Sequence, residues 1–194
     1  MKSALIFLSV FATHSMQPHD AASLKYKKFL IRQVRFYWGM EQEVSTFAAQ
    51  IKQESNWNPS ARSPYATGLT QFTPKTAGWI LKAYPNLQRG VERGSDVRLD
   101  WKWAIRAMVQ YDFHLYSRLA NREIAGASRS YIWILTLRAY NGGIGWIYRE
   151  LASCQNLDFD CCSRFRSKKA CKENLEYPKK IITRWKPIYA GWDG

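Results

Sequence analysis

The sequence predicts a mainly α-helical protein with one folded domain. Apolar residues recur at three- and four-residue spacing along most of the chain, and the alternation of a half-buried strand is not evident anywhere. The 194 residues, 46% of them hydrophobic, suffice for one well-buried core but leave no room for two full domains. Neither an internal repeat nor a low-complexity linker divides them.

Taken in order, Lys2 precedes an apolar run from Ala4 to Ala12, after which the chain turns polar through His14, Ser15, Gln17 and Asp20. That is the shape of a short secretory leader, too short to cross a bilayer; a buried first helix or a disordered start is the bland alternative. We place the leader at residues 1–22 and the folded domain at 23–194. Leu24 to Trp38 carries Phe29, Leu30, Val34 and Tyr37 at helical spacing, with basic residues opposite. A second helix is expected from Glu41 to Glu54, with Val44, Phe47, Ala48 and Ile51 on one face and Asn56, Asn58 and Pro59 as stop signals. Thr73-Pro74 reads as a hydroxyl cap followed by proline in the first helical position, and that helix gives out near Pro85. A long helix follows from Asp100 to about Leu119. Tyr131 to Ala139 is almost wholly apolar and therefore central. Ile144 to Leu151 and Tyr177 to Trp185 read as shorter helices.

The four cysteines, Cys154, Cys161, Cys162 and Cys171, all fall late. An even count in an exported chain suggests disulfides. No CxxC pair occurs and His14, His19 and His114 lie far away in sequence, so we expect neither a metal nor any other cofactor. Adjacent Cys161 and Cys162 cannot readily bridge each other. Each is expected to pair outward, to Cys154 and Cys171 in either order, stapling a loop-rich insert at 154–171. The formal net charge of +14 favours anionic partners without choosing among nucleic acid, anionic lipid and wall polymers. Nine of the basic residues fall between Arg164 and Lys186, with only Glu173 and Glu176 as acids among them.

Glu54 carries the chemical argument. It stands three residues after Ile51 and seven after Phe47, on the apolar face at the end of its helix. A solitary helix-end glutamate is ordinarily solvated. At the lip of an apolar groove, however, the anion is disfavoured and the pKa rises, which suits a general acid near neutral pH.

The segments around it form an ordered set: Glu54-Ser55, Asn58-Pro59, Ser63-Pro64, Gly68-Leu69-Thr70-Gln71, Pro74 with Thr76-Ala77, and Ala139-Tyr140-Asn141-Gly142-Gly143. Together they resemble the soluble lytic transglycosylase (SLT) domain, a lysozyme-like fold related to goose-type lysozymes, over about Leu24 to Ile188. The resemblance implies a substrate cleft with Glu54 as the single catalytic acid/base. It implies that Ser63 contacts substrate near the acetamido group, that Gln71 lines the cleft, and that Tyr140 and Asn141 position the carboxyl or the sugar. Tyr177, in the looser match Glu173-Asn-Leu-Glu-Tyr177, is expected to face the cleft too. Three features depart from the family pattern. The run Tyr65-Ala-Thr-Gly68 is one residue shorter and lacks a first glycine, Thr70 and Thr73 stand where methionine is common, and the cysteine-rich stretch is an addition. Trp57, Tyr65 and Phe72 flank the motifs and are expected to offer rings to pyranose faces, with Thr73 beside them.

Most glycosidases use two carboxylates, yet no Asp or Glu occurs from Ser55 to Val91. Asp96 or Asp100 could reach in from the next segment. A one-carboxylate site, with the substrate's own acetamido group assisting, leads to cleavage of the MurNAc-GlcNAc β-1,4 bond of peptidoglycan with 1,6-anhydro-MurNAc ends. A goose-type lysozyme-like hydrolase such as a phage endolysin is the alternative, and a non-catalytic wall-binding component a further one. The expected partners are glycan strands and anionic envelope polymers rather than nucleic acid. A monomer is expected, exported to the periplasm or cell wall, or phage-encoded and acting on a host wall.

Overall fold

The computed structural model describes residues 21–122, 124 and 126–194. The expected leader lies outside the described residues, apart from Ala21 and Ala22, which open the first helix. Helix α1, Ala21–Trp38, turns Tyr26, Leu30 and Val34 inward at the spacing the sequence shows. Helix α2, Val44–Ser55, is more deeply enclosed: every residue from Val44 to Lys52 is buried. It is sheathed by α1 and by the C-terminal segments, so the helix that carries Glu54 in its last turn is packed on several sides.

The turn after Glu54 uses two successive left-handed residues, Asn56 (φ 53°) and Trp57 (φ 65°). Asparagine tolerates this region; tryptophan does so only when its surroundings over-determine it. Trp57 is 2% exposed, stacks on Tyr26 with ring centroids 5.6 Å apart, and donates its indole N–H to the Tyr189 hydroxyl at 2.7 Å. It is therefore a core anchor for the turn and not a groove ring, which corrects the sequence expectation.

The following loop is held by isolated bridges from Thr67 to Arg62 and to Phe72, and by Ser55 Oγ donating to the Leu69 carbonyl at 2.7 Å. Helix α3, Pro74–Ala83, begins as expected, with Thr73 Oγ1 accepting from the Thr76 N–H. Short 3₁₀ turns at Pro85–Gln88 and Val97–Leu99 lead to α4, Trp101–Ala120, capped by Asp100. Helix α5, Arg129–Gly142, is central as predicted and packs on α4, on α6 (Ile144–Ser153) and on the later helix at Lys168–Lys179. A larger apolar cluster joins α1 through α4 with the C-terminus. A smaller one, built on Leu115, Leu119, Leu135 and Ile147, fills the space between α4, α5 and α6.

The cysteine-bearing stretch is more helical than expected. It contains α7, Phe159–Ser163, and the start of α8, Lys168–Lys179, so the helix predicted from Tyr177 begins nine residues earlier. Polar composition hid it, because α8 buries only Cys171, Asn174, Tyr177 and Pro178. The disulfides are Cys154–Cys161 and Cys162–Cys171. Beyond Pro178 the chain continues as a π-helical turn, Lys180–Trp185, then a 3₁₀ segment, Lys186–Trp192, both lying against α2. No strand occurs among the described residues beyond the two bridges.

Gly68 combines φ 87° with close approach: a Cβ there would lie 1.8 Å from the Arg98 carbonyl oxygen. Gly68→Ala is expected to destabilise the fold by about 3 kcal/mol through backbone strain and overpacking. Urea unfolding at constant slope measures this.

Candidate active site

Glu54 occupies the last turn of α2, half-buried, at the floor of a cavity of about 330 Å³. The loop from Ser63 to Thr73 supplies one wall, Tyr111 of α4 with Tyr140 and Asn141 of α5 another, and Glu173 of α8 a third. Ser63, Tyr65, Gln71, Thr73, Tyr140 and Asn141, six of the residues singled out in the sequence, thus converge with Glu54 on one cavity. Phe72 lines it too, although only 2% exposed, whereas Tyr65 is 80% exposed at its rim.

Several of these side chains are spent locally. Ser63 Oγ accepts from the Ala66 N–H at 3.0 Å, closing the turn beneath Tyr65. Gln71, itself at φ 48°, donates Nε2 to the carbonyls of Gly68 (2.8 Å) and Ala61 (3.2 Å). Its amide braces the loop from inside, so its contribution to the wall comes from the remaining oxygen and the stem. Thr73 Oγ1 caps α3.

The two tyrosines divide roles in a way the sequence did not separate. Tyr140 donates its hydroxyl to the Thr70 carbonyl at 2.7 Å, pinning the loop to α5. Tyr177 does not line the cavity; it reaches from α8 beneath it and donates its hydroxyl to Glu54 Oε1. Burial, with the nearby Glu54 carboxylate, holds both phenols well above their ordinary range, so each stays protonated and able to donate.

Glu54 is pushed up to about 8, chiefly by burial; the Tyr177 hydrogen bond pulls it down and Glu173 pushes it further up. A second acid lies deeper. Asp112 of α4 is fully buried, and its Oδ1 accepts from Gln50 Nε2 at 3.4 Å. Burial lifts its pKa well above the carboxylate range and Glu54 adds to the lift. Asp96 and Asp100 do not reach in: Asp96 binds Arg98 and Asp100 caps α4. The carboxylate that does share the cavity with Glu54 is Glu173. Its motif was visible in the sequence, but nothing local showed that α8 would bring it across.

A further cavity of about 380 Å³ shares Thr76 and Tyr111 with the first and extends the groove past Trp79, His114, Lys75 and Arg118. Trp79 is 40% exposed there, its ring 4.8 Å from that of His114. The two adjoining cavities thus carry Phe72, Trp79, Tyr111 and Tyr140 among their linings, with Glu54 in the first.

A helical domain whose cleft is organised around one such glutamate is lysozyme-like. Residues 37–160 match the Transglycosylase SLT domain, and the chain belongs to that family. It is also similar to the membrane-bound lytic murein transglycosylase F of Shewanella frigidimarina (strain NCIMB 400), at 35% identity over 114 residues, 57% of this chain. The chain spans about a fifth of that relative's length, since the match covers 20% of it.

Two outcomes follow from the electrostatics. Tyr177→Phe removes the hydrogen bond that lowers the Glu54 pKa, so the value should move above about 8, and ¹³C-carboxyl NMR titration reads it directly. The folded state also retains a proton that the unfolded chain releases between pH 4.5 and about 8. Over that window the unfolded state binds fewer protons than the folded one, so the Glu54 contribution to stability falls as pH rises. Chemical denaturation of wild type and Glu54→Gln at intervals from pH 5 to 8 should show the steeper decline in the wild type, the slope that remains in the variant belonging to buried Asp112.

Proposed function

We propose that this protein is a peptidoglycan lytic transglycosylase that cleaves the MurNAc-GlcNAc β-1,4 bond and leaves 1,6-anhydro-MurNAc ends. The observation that carries the reading is the protonated glutamate in an aromatic cleft, in a chain that belongs to the SLT family. With a pKa of about 8, Glu54 holds its proton at neutral pH and donates it to the glycosidic oxygen as the bond breaks. The substrate's 2-acetamido oxygen stabilises the anomeric carbon. Glu54, now anionic, takes the proton of the C6 hydroxyl as that oxygen closes on the same carbon, which restores the acid. Holding the C6 hydroxyl against the anomeric centre gives the attack the advantage of an intramolecular reaction. Tyr177 steadies the anionic stage by donating to Oε1. Gln71, Tyr140 and Ser63 maintain the walls, and the groove past Trp79 accommodates more of the strand.

Glu173 favours one second reading. A carboxylate sharing the cavity can act as general base on water, which is the arrangement of an inverting hydrolase, and the product would then be a reducing end. The surplus of positive charge suits a wall that carries anionic polymers, consistent with a monomeric exported enzyme acting in the periplasm or cell wall, or with a phage enzyme acting on a host wall. No helix among the described residues is long and apolar enough to cross a membrane.

Mass spectrometry of products from purified peptidoglycan separates the two readings, since anhydro ends are lighter than reducing ends by one water. Anhydro ends are expected from the wild type and from Glu173→Gln alike. Glu54→Gln should lower turnover by about 10²-fold or more while retaining strand binding. Reducing ends that vanish in Glu173→Gln would establish hydrolysis instead.

A further inference from the structure

The amide of Asn141 lines the Glu54 cavity, and its orientation is decided from behind. Asn174 of α8 is 1% exposed and donates Nδ2 to Asn141 Oδ1 at 3.1 Å and to the Arg138 carbonyl oxygen at 2.8 Å. Its own Oδ1 accepts from Arg138 Nε at 3.1 Å and from Arg166 Nη2 at 2.9 Å. A guanidinium only donates and a peptide carbonyl only accepts. Turning the Asn174 amide over would set like against like in a buried site, at a cost that leaves one orientation. With its oxygen taken by Asn174, Asn141 has its N–H pair left for the cleft.

The guanidiniums are themselves fixed. Both bind Glu150, which is fully buried, Arg138 through Oε2 at 2.5 Å and Arg166 through Oε1 at 3.0 Å. Arg166 lies within the loop closed by the Cys162–Cys171 disulfide, its Nη2 3.3 Å from Cys162 Sγ. Gly142 permits the approach: a Cβ there would lie 2.5 Å from Arg166 Nη1 and 2.7 Å from Asn174 Nδ2. The residue next to Asn141 thus lacks a side chain where this array meets α5.

We propose that Glu150, Arg138, Arg166 and Asn174 form a polarity relay that makes Asn141 a hydrogen-bond donor to the cleft and so selects an amide carbonyl oxygen of the bound strand at that point. The inference rests on the glycan-strand reading above and deepens it. An N-acetylated aminosugar strand offers hydroxyls, which fit either polarity, and amide carbonyls, which only accept. A donor of fixed direction distinguishes the second from any group that only donates. Asn174 acts through Asn141 and is a positioning residue, and the disulfide-clamped stretch becomes the outer anchor of the site.

The test is calorimetric titration of Glu54→Gln, and of further variants in that background, with tetra-N-acetylchitotetraose and with isolated glycan strands. Asn141→Asp keeps the acceptor for Asn174 but presents a second acceptor to the cleft; binding should weaken about tenfold or more, with no fall in thermal midpoint. Asn174→Ala should weaken binding several-fold, and should cost nothing further in an Asn141→Ala background, because the two act as one path. In the protein with Glu54 intact, Asn174→Ala should raise KM and leave the pH dependence of turnover in place. Unchanged or tighter binding by Asn141→Asp overturns the relay, as do losses from Asn174→Ala and Asn141→Ala that simply add. Should Asn174→Ala fail to fold, the Asn141→Asp result decides. Failure of the Glu54→Gln parent to bind either ligand overturns the glycan reading and the relay with it, whereas binding with additive losses overturns the relay alone.

Discussion

The hydrogen bond from Tyr177 to Glu54 joins two helices across 123 positions of sequence, at the point where α2 and α8 meet at the cleft. On one side is α2, enclosed from Val44 to Lys52, which delivers its last turn to a fixed point. On the other is α8, whose few buried residues include the tyrosine that receives that turn and the asparagine that backs the opposite wall. A carboxyl presented to open water would remain an ordinary glutamate. Seated between α2 and α8, with Glu173 close by, it holds its proton to about pH 8.

Such a site sets function against stability. Ionising Glu54 is disfavoured by burial, and Asp112 is a second buried acid whose own ionisation the Glu54 charge makes costlier. Trp57 in the left-handed region adds backbone strain beside the same turn. These concessions are offset by dense aromatic packing: Trp57 stacks on Tyr26 and closes against Tyr189 and Trp192, binding the first helix, the turn and the C-terminus together. The aromatic richness of the chain is mainly structural on this side of the molecule. On the other side it turns outward, where Trp79, Tyr111 and His114 extend the cleft.

The cysteine-bearing stretch has a comparable double character. Its two short-loop disulfides constrain a segment with few apolar residues of its own, supplying covalently some of the order that a small apolar core cannot. It also brings Arg166 against Glu150 and Asn174, so this stretch reaches the cleft wall through Asn141. An ion cluster in a dry interior is weak support for stability by itself. Its value here lies in direction, because guanidiniums and a carboxylate cannot exchange donor and acceptor roles as amides can.

The sequence alone determined the helical class, the starts of α3 and α4, the centrality of α5 and the candidacy of Glu54. Those features are local: helical spacing, a cap followed by proline, a solid apolar run, and short motifs in a set order. It also narrowed the disulfides to two pairings, because adjacent cysteines must look outward. Only the tertiary structure decided the rest. It chose Cys154–Cys161 with Cys162–Cys171, turned Trp57 from the groove into the core, and gave the carboxyl's hydrogen bond to Tyr177 rather than Tyr140. It also supplied the nearby acid that the stretch from Ser55 to Val91 lacks, by bringing Glu173 across on α8. The physical reason is common to all four: spacing along the chain fixes which face of a helix a residue occupies, but which helix lies against that face depends on burying every apolar face at once.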